Sequence, residues 1–230
     1  SIAFWHFILK DLPSPQELIS RKQKVSTKIY DRNGILLYNI YKDQNRTPVS
    51  LDEIPLHAKL ATIAIEDAEF YSHLGFSLKG IARALLKNYK EKKLTGGSTI
   101  TQQLVKNTLL SPEKTYLRKI KEITLAIKVE LAFSKDEILE MYLNEVSYGG
   151  TAYGIQEASR TYFGKDVKKL SLAEAALLAG LPKSPTEYSP FGTNPELSLA
   201  RQKEVLNLME INGFITNDQK MAAESEEVSF

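Results

Sequence analysis

Tyr116-Leu117-Arg118-Lys119-Ile120-Lys121-Glu122-Ile123-Thr124-Leu125-Ala126-Ile127-Lys128-Val129-Glu130-Leu131-Ala132-Phe133 reads as helix from end to end. Leu117, Ile120, Thr124, Ile127 and Leu131 step by three and four residues, which predicts one buried stripe with a single polar member. Ser134 followed by Glu137 is a capping box that starts the next helix, Lys135 to Asn144. The same periodicity predicts helices over Ala58–Tyr71, Leu78–Lys90, Thr99–Leu110, Tyr153–Phe163, Leu172–Leu181 and Pro195–Asn212. Ser171 with Glu174 caps one of them. Before Pro55 the pattern is different. Val25 to Val49 mixes Ile29, Ile35, Leu37 and Ile40 with tyrosines around Asn33-Gly34, a strong hairpin signal. Pro182, Pro185 and Pro190 mark a long loop. The chain is therefore read as mainly α, with one small β-hairpin near its start.

The 230 residues suffice for one large domain or two small ones. Hydrophobic residues at 43% and charged residues at 25% are the mix of a folded domain. With no cysteine, disulfide frameworks, thiolate zinc sites and iron–sulfur clusters are excluded. The three histidines, His6, His57 and His73, include no pair at metal-ligand spacing. The formal net charge is only +2, yet Lys79 to Lys135 holds 13 basic and 4 acidic residues. A local excess of that size suits an anionic partner, or else a set of solvated helix faces.

Seven of the first nine residues are apolar, Phe4, Trp5 and Phe7 among them. As a helix they cover about 13 Å, under half of a bilayer core of roughly 30 Å. Residues 1–12 fit the outer end of a longer membrane helix, with Trp5 at the interface. A short core helix or strand fits equally.

Four strings could carry chemistry. In Glu66-Asp67-Ala68-Glu69-Phe70-Tyr71-Ser72-His73-Leu74-Gly75, helical spacing puts Ile63, Glu66, Phe70 and His73 on one face. A carboxylate on such a face is partly desolvated, which raises its pKa toward that of a useful general base. The plain alternative is a helix with an acidic, solubilising edge. Gly96-Gly97-Ser98-Thr99-Ile100-Thr101-Gln102-Gln103 opens a helix whose free N–H groups would suit a phosphate. It is not a Walker loop, and it reads equally as a well-capped helix after a flexible turn. Lys114, Arg118 and Glu122 step by four, with Lys119 three before Glu122. That cluster could hold a departing phosphate or a divalent cation, or be an ordinary ion-pair edge. Lys79, Arg83 and Lys87 form a basic stripe beside Leu78, Ala82, Leu85, Leu86 and Tyr89, as in a helix lying on an anionic membrane or packed on a core.

Together these strings resemble the family 51 peptidoglycan glycosyltransferases, in order from about Ile29 to Ala223. The first motif is similar to Glu66-Asp67-x-x-Phe70-x-x-His73-x-Gly75, the second to Gly96 through Gln103, the third to Arg118-Lys119-x-x-Glu122. The fourth resembles Glu137-Ile138-Leu139-Glu140-x-Tyr142-Leu143-Asn144, and the fifth Ala175 through Pro182. Pro182-Lys183-Ser184-Pro185, Asn194-Pro195, Arg201 and Gly213-Phe214-Ile215-Thr216 look like the bifunctional, class A penicillin-binding protein type. The resemblance implies a lysozyme-like, two-lobed helical domain over 51–230, with a small membrane-facing lobe at about 74–97, a linker and hairpin over 13–50, and a transpeptidase domain further on. It implies that lipid II and the growing glycan strand are the substrates. Glu66 would be the general base, with Glu122 organising the cationic cluster or a Mg²⁺ or Mn²⁺ ion. Asp67, Phe70, His73, Ser98, Thr101, Gln102, Gln103, Lys106, Lys114, Arg118 and Lys119 would line the substrate site, where moenomycin inhibits. The implied setting is the outer side of the bacterial cytoplasmic membrane, on a single-pass anchor beside other cell-wall synthesis proteins. The first runner-up is a lysozyme-like murein hydrolase or lytic transglycosylase. The second is a non-catalytic membrane-binding module. Nucleic acid is not an expected partner, since no aromatic-interleaved basic platform is present.

Overall fold

The structure, a computed structural model, describes residues 12–20, 26–33, 36–40, 44–77, 97–111, 113 and 115–230. In chain order its elements are α1 (Glu17–Ser20), β1 (Thr27–Tyr30), β2 (Leu36–Ile40), β3 (Asn45–Arg46), α2 (Leu56–Glu66), α3 (Ile100–Thr108), α4 (Tyr116–Ala132), α5 (Lys135–Glu145), β4 (Ser147–Gly149), β5 (Ala152–Tyr153), α6 (Ile155–Phe163), α7 (Leu172–Gly180), α8 (Glu196–Ile211) and α9 (Asn217–Ser225). The mainly helical expectation holds. The predicted membrane-facing segment falls mostly on residues 78–96, and the predicted anchor on residues 1–11. Both lie outside the described residues. Among the described residues no helix is long and apolar enough to cross a membrane.

The chain divides into two compact units: Ser1–Arg21 with Glu66–Tyr142, and Lys22–Ile65 with Leu143–Phe230.

In the first unit, α3 packs on α4, and Ile100, Leu104, Val105, Leu125, Ala126 and Val129 are all buried. Thr99 caps α3 by accepting the Gln102 N–H, and Thr115 caps α4 by accepting that of Arg118. Ser134 and Glu137 form the expected box at the start of α5. The predicted stripe on α4 is corrected. Its buried face is Glu122, Leu125, Ala126 and Val129, while Leu117 and Leu131 are exposed. A buried acid on the core face defeats a count of apolar steps.

In the second unit, β1 and β2 form the expected antiparallel hairpin, Thr27 opposite Ile40 and Ile29 opposite Tyr38. A second sheet, in the order β3-β5-β4, was not predicted. Its strands of two or three residues are too short to show alternation. The core gathers Ala61, Ala64, Ala173, Ala176, Ala179, Val205, Leu206, Met209 and Ala223. Helix α7 is buried from Ala173 to Gly180, as expected of a helix apolar all round, and its Ser171–Glu174 capping box is complete.

Candidate active site

Everything around Glu66 in this section belongs to the first unit. Glu66 is the last residue of α2 and is half-buried. Its Oε2 accepts a hydrogen bond of 2.5 Å from Nε2 of Gln103 on α3. The Tyr142 hydroxyl on α5 in turn donates to Gln103 Oε1 at 3.4 Å.

The single helical face predicted for Glu66, Phe70 and His73 does not exist. The helix stops at Glu66, Phe70–Ser72 is one 3₁₀ turn, and His73 is extended. Asp67 explains the break. Its two carboxylate oxygens meet His73 Nε2 at 2.9 and 3.0 Å, and Oδ2 also accepts the Ile100 N–H at 3.1 Å. The N-terminus of α3, read from sequence as open to a phosphate, thus receives an internal carboxylate. Phe70 is fully buried, edge-on to Tyr71 and His73. The Tyr71 hydroxyl donates to Asp136 at 2.9 Å. Burial, then that bond and the Asp136 charge, push the phenol up to about 12.

Gly75 ends this loop at φ +80°, in the left-handed region. A Cβ there would lie 2.9 Å from the backbone of Ala126 on α4. The Gly75 carbonyl accepts from Thr99 Oγ1 at 2.8 Å and from Gln102 Nε2 at 3.1 Å. Thr99 and Gln102 therefore make half a capping box, the Gln102 amide being used to hold the loop.

The third motif forms a polar cluster on the other side of Gln102. The Lys119 ammonium donates to Glu122 Oε1 at 2.5 Å, Ser98 Oγ at 2.9 Å and Gln102 Oε1 at 3.2 Å. Those three acceptors match its three protons. Glu122 is 4% exposed, whereas the Lys119 side chain is 46% exposed and reachable by solute. Arg118 does not join them; its guanidinium donates to the Glu113 carbonyl and lines a cavity of about 240 Å³ with Leu109, Leu117 and Lys121. Lys106 is half-buried in the last turn of α3. Lys114 lies outside the described residues. Among the described residues no three or more His, Asp or Glu side chains gather as a metal site. Glu122 fits a divalent ion poorly, because the Lys119 charge already occupies its Oε1.

Two functional-looking residues escaped the sequence reading. Glu130, with a side chain 2% exposed, pairs with Lys135 at 2.7 Å and accepts from Thr101 Oγ1 at 2.5 Å. Lys135 also donates to the His73 carbonyl at 2.6 Å and sits 4.5 Å from the Phe70 ring centre. Thr101, placed in the substrate site from sequence, is fully buried and faces this pair. Only the capping run around Ser134 drew attention to Lys135, and it gave no hint of a partner.

Residues 33–210 match the family model described as transglycosylase. Penicillin-binding protein 1A of Aquifex aeolicus (strain VF5) is 47% identical over 92% of this chain and 29% of its own length. Penicillin-binding protein 1F of Bacillus subtilis (strain 168) is 44% identical over 86% of this chain and 28% of its own. The crystal structure of penicillin-binding protein 1A from Haemophilus influenzae superposes with a TM-score of 0.54 at 25% identity, over 91% of this chain and 21% of that one. The chain spans less than a third of the curated relatives it matches. The model match covers well over half of the chain, in agreement with the five motifs, and the chain belongs to the transglycosylase family, the family 51 glycosyltransferases.

Proposed function

We propose that this domain polymerises lipid II into β(1→4) glycan strands, releasing undecaprenyl pyrophosphate. The observation that carries the reading is the use of two adjacent side chains on α3. Gln103 reaches the Glu66 carboxylate, and Gln102 reaches the Lys119–Glu122 pair. A base and a cation are thereby tied to one short helix, which suits the positioning of an acceptor hydroxyl and a departing diphosphate.

In this reading Glu66 takes the proton from the 4-hydroxyl of the acceptor GlcNAc. The freed oxygen attacks the anomeric carbon of the donor MurNAc. The bond from that carbon to the lipid diphosphate breaks, its electron pair leaves on the phosphate oxygen, and the configuration inverts from α to β. An incoming phosphate would take over the Lys119 protons now given to Ser98 and Gln102. Glu122 holds that ammonium in place through its Oε1. A Mg²⁺ or Mn²⁺ ion would reach Glu122 Oε1 only by displacing Lys119. Moenomycin, the inhibitor that the resemblance implies for this site, would compete for the same cluster. The lipid substrate sets the place of action at the outer face of the cytoplasmic membrane.

The test is Glu66→Gln, assayed on labelled lipid II by gel separation of strands. Turnover is expected to fall on the order of 10²–10⁴-fold with the fold intact. Near-unchanged polymerisation would remove Glu66 from its role. Cleavage of purified murein without polymerisation of lipid II would replace the reading with that of a glycan-cutting enzyme.

A further inference from the structure

We propose that Tyr142 is a positioning residue for Glu66, acting through Gln103. The inference rests on the reading of Glu66 as the base.

Tyr142 is 1% exposed. Its helix neighbours Ile138, Leu139 and Leu143 are wholly buried, so packing alone would be served by a phenylalanine. A phenol in such a place needs a hydrogen-bond partner. Its hydroxyl donates to Gln103 Oε1 at 3.4 Å, while Nε2 of the same amide donates to Glu66 Oε2 at 2.5 Å. The three side chains thus form a directed chain that ends on a carboxylate oxygen. They come from α5, α3 and α2, elements far apart in sequence.

The chain does two things. It fixes the plane of the Gln103 amide, because donation to Oε1 leaves Nε2 as the end that faces Glu66. It also polarises that amide, so that its N–H stabilises the ionised form of Glu66 more strongly. Both effects favour the ionised carboxylate and aim it before substrate arrives. Asp67 pairs with His73, Glu130 with Lys135 and Glu122 with Lys119, and what Gln103 and Tyr142 add at Glu66 comes through uncharged groups.

The experiment is the pH dependence of kcat on labelled lipid II for wild type, Tyr142→Phe, Gln103→Leu and the double variant, with Glu66→Gln as control. Loss of the hydroxyl is expected to move the acidic limb of Tyr142→Phe upward by about half to one pH unit, with KM little changed. Gln103→Leu should move it the same way, and Tyr142→Phe should add nothing in the Gln103→Leu background. A residue that only fills space would lower stability or the plateau rate and leave the limb where it was. An unshifted limb in Tyr142→Phe, with Glu66→Gln inactive, overturns the inference and spares the role of Glu66. An active Glu66→Gln overturns both. Should Tyr142→Phe fail to fold, Gln103→Leu decides: a limb at the wild-type position overturns the inference.

Discussion

Both carboxylate oxygens of Asp67 face His73 Nε2, and one of them also accepts the Ile100 amide. One buried side chain thereby ends α2, shapes the loop to Gly75 and anchors the start of α3. His73 Nδ1 is buried and makes no hydrogen bond among the described residues, so Asp67 is what holds the ring. Asp67→Ala would leave the imidazole and the Ile100 N–H unpaired, at a cost of about 1–3 kcal/mol for each. Denaturant unfolding should show that loss, and Asp67→Asn, which keeps one acceptor, should lose less. Equal stability of the alanine variant and wild type would remove Asp67 from this role.

Gly75 is the next point of strain. An alanine there would hold φ near +80° with its Cβ 2.9 Å from the Ala126 carbonyl carbon and oxygen. The left-handed conformation alone costs roughly 1–2 kcal/mol, and backbone on a packed helix yields little. The expected loss of Tm is at least about 2–4 °C per kcal/mol for a chain of this size. A Tm within one degree of wild type would show that the loop relaxes freely.

Lys135 and Glu130 predict a coupling. Lys135→Met leaves the Glu130 carboxylate buried without its cation, a defect worth about 3–5 kcal/mol. Adding Glu130→Gln removes the stranded charge and should recover part of the loss. A double-mutant cycle by urea unfolding should therefore give an interaction energy within about 0.5–3 kcal/mol. Additive losses would mean the two side chains do not act as a pair. The catalytic consequence is indirect, since Lys135 holds the His73 carbonyl in the loop that follows Glu66.

Sequence alone revealed the elements that carry their own signals. Ser134–Glu137 and Ser171–Glu174 announced α5 and α7, and apolar periodicity placed α3, α6 and α8 within a residue or two. The segment from Asp67 to His73 looked helical because its residues tolerate a helix. Asp67 instead satisfies the end of α3, a tertiary demand that spacing does not reveal. The face of α4 was misread because Glu122 is buried against Lys119 while Leu131 is exposed. Helix α9 was legible and missed: Thr216 and Gln219 form a complete capping box. The link from Glu66 through Gln103 to Tyr142 joins three motifs, and no local pattern states which amide faces which oxygen.

Glu157 on α6 gives the pH dependence of the second unit. Its side chain, 2% exposed, pairs with Lys28 of β1 at 2.5 Å and with Arg160 at 3.1 Å, and it accepts the Thr47 hydroxyl. Burial pushes its pKa up, but the bonds from Lys28 and Thr47 and the charges of Lys28 and Arg160 together outweigh burial and hold it below the ordinary carboxylate value. The folded state therefore binds this proton less readily than the unfolded chain does. Glu157 then contributes stability that is complete above the reference value of 4.5 and is lost as pH falls through the lower folded pKa. Glu157→Gln should be less stable than wild type near neutral pH, and the gap between the two should narrow below pH 4.5. Unfolding curves collected across the acid range would show this convergence. A gap that stays constant with pH would mean that the Lys28–Glu157 contact holds the hairpin by packing and not by charge.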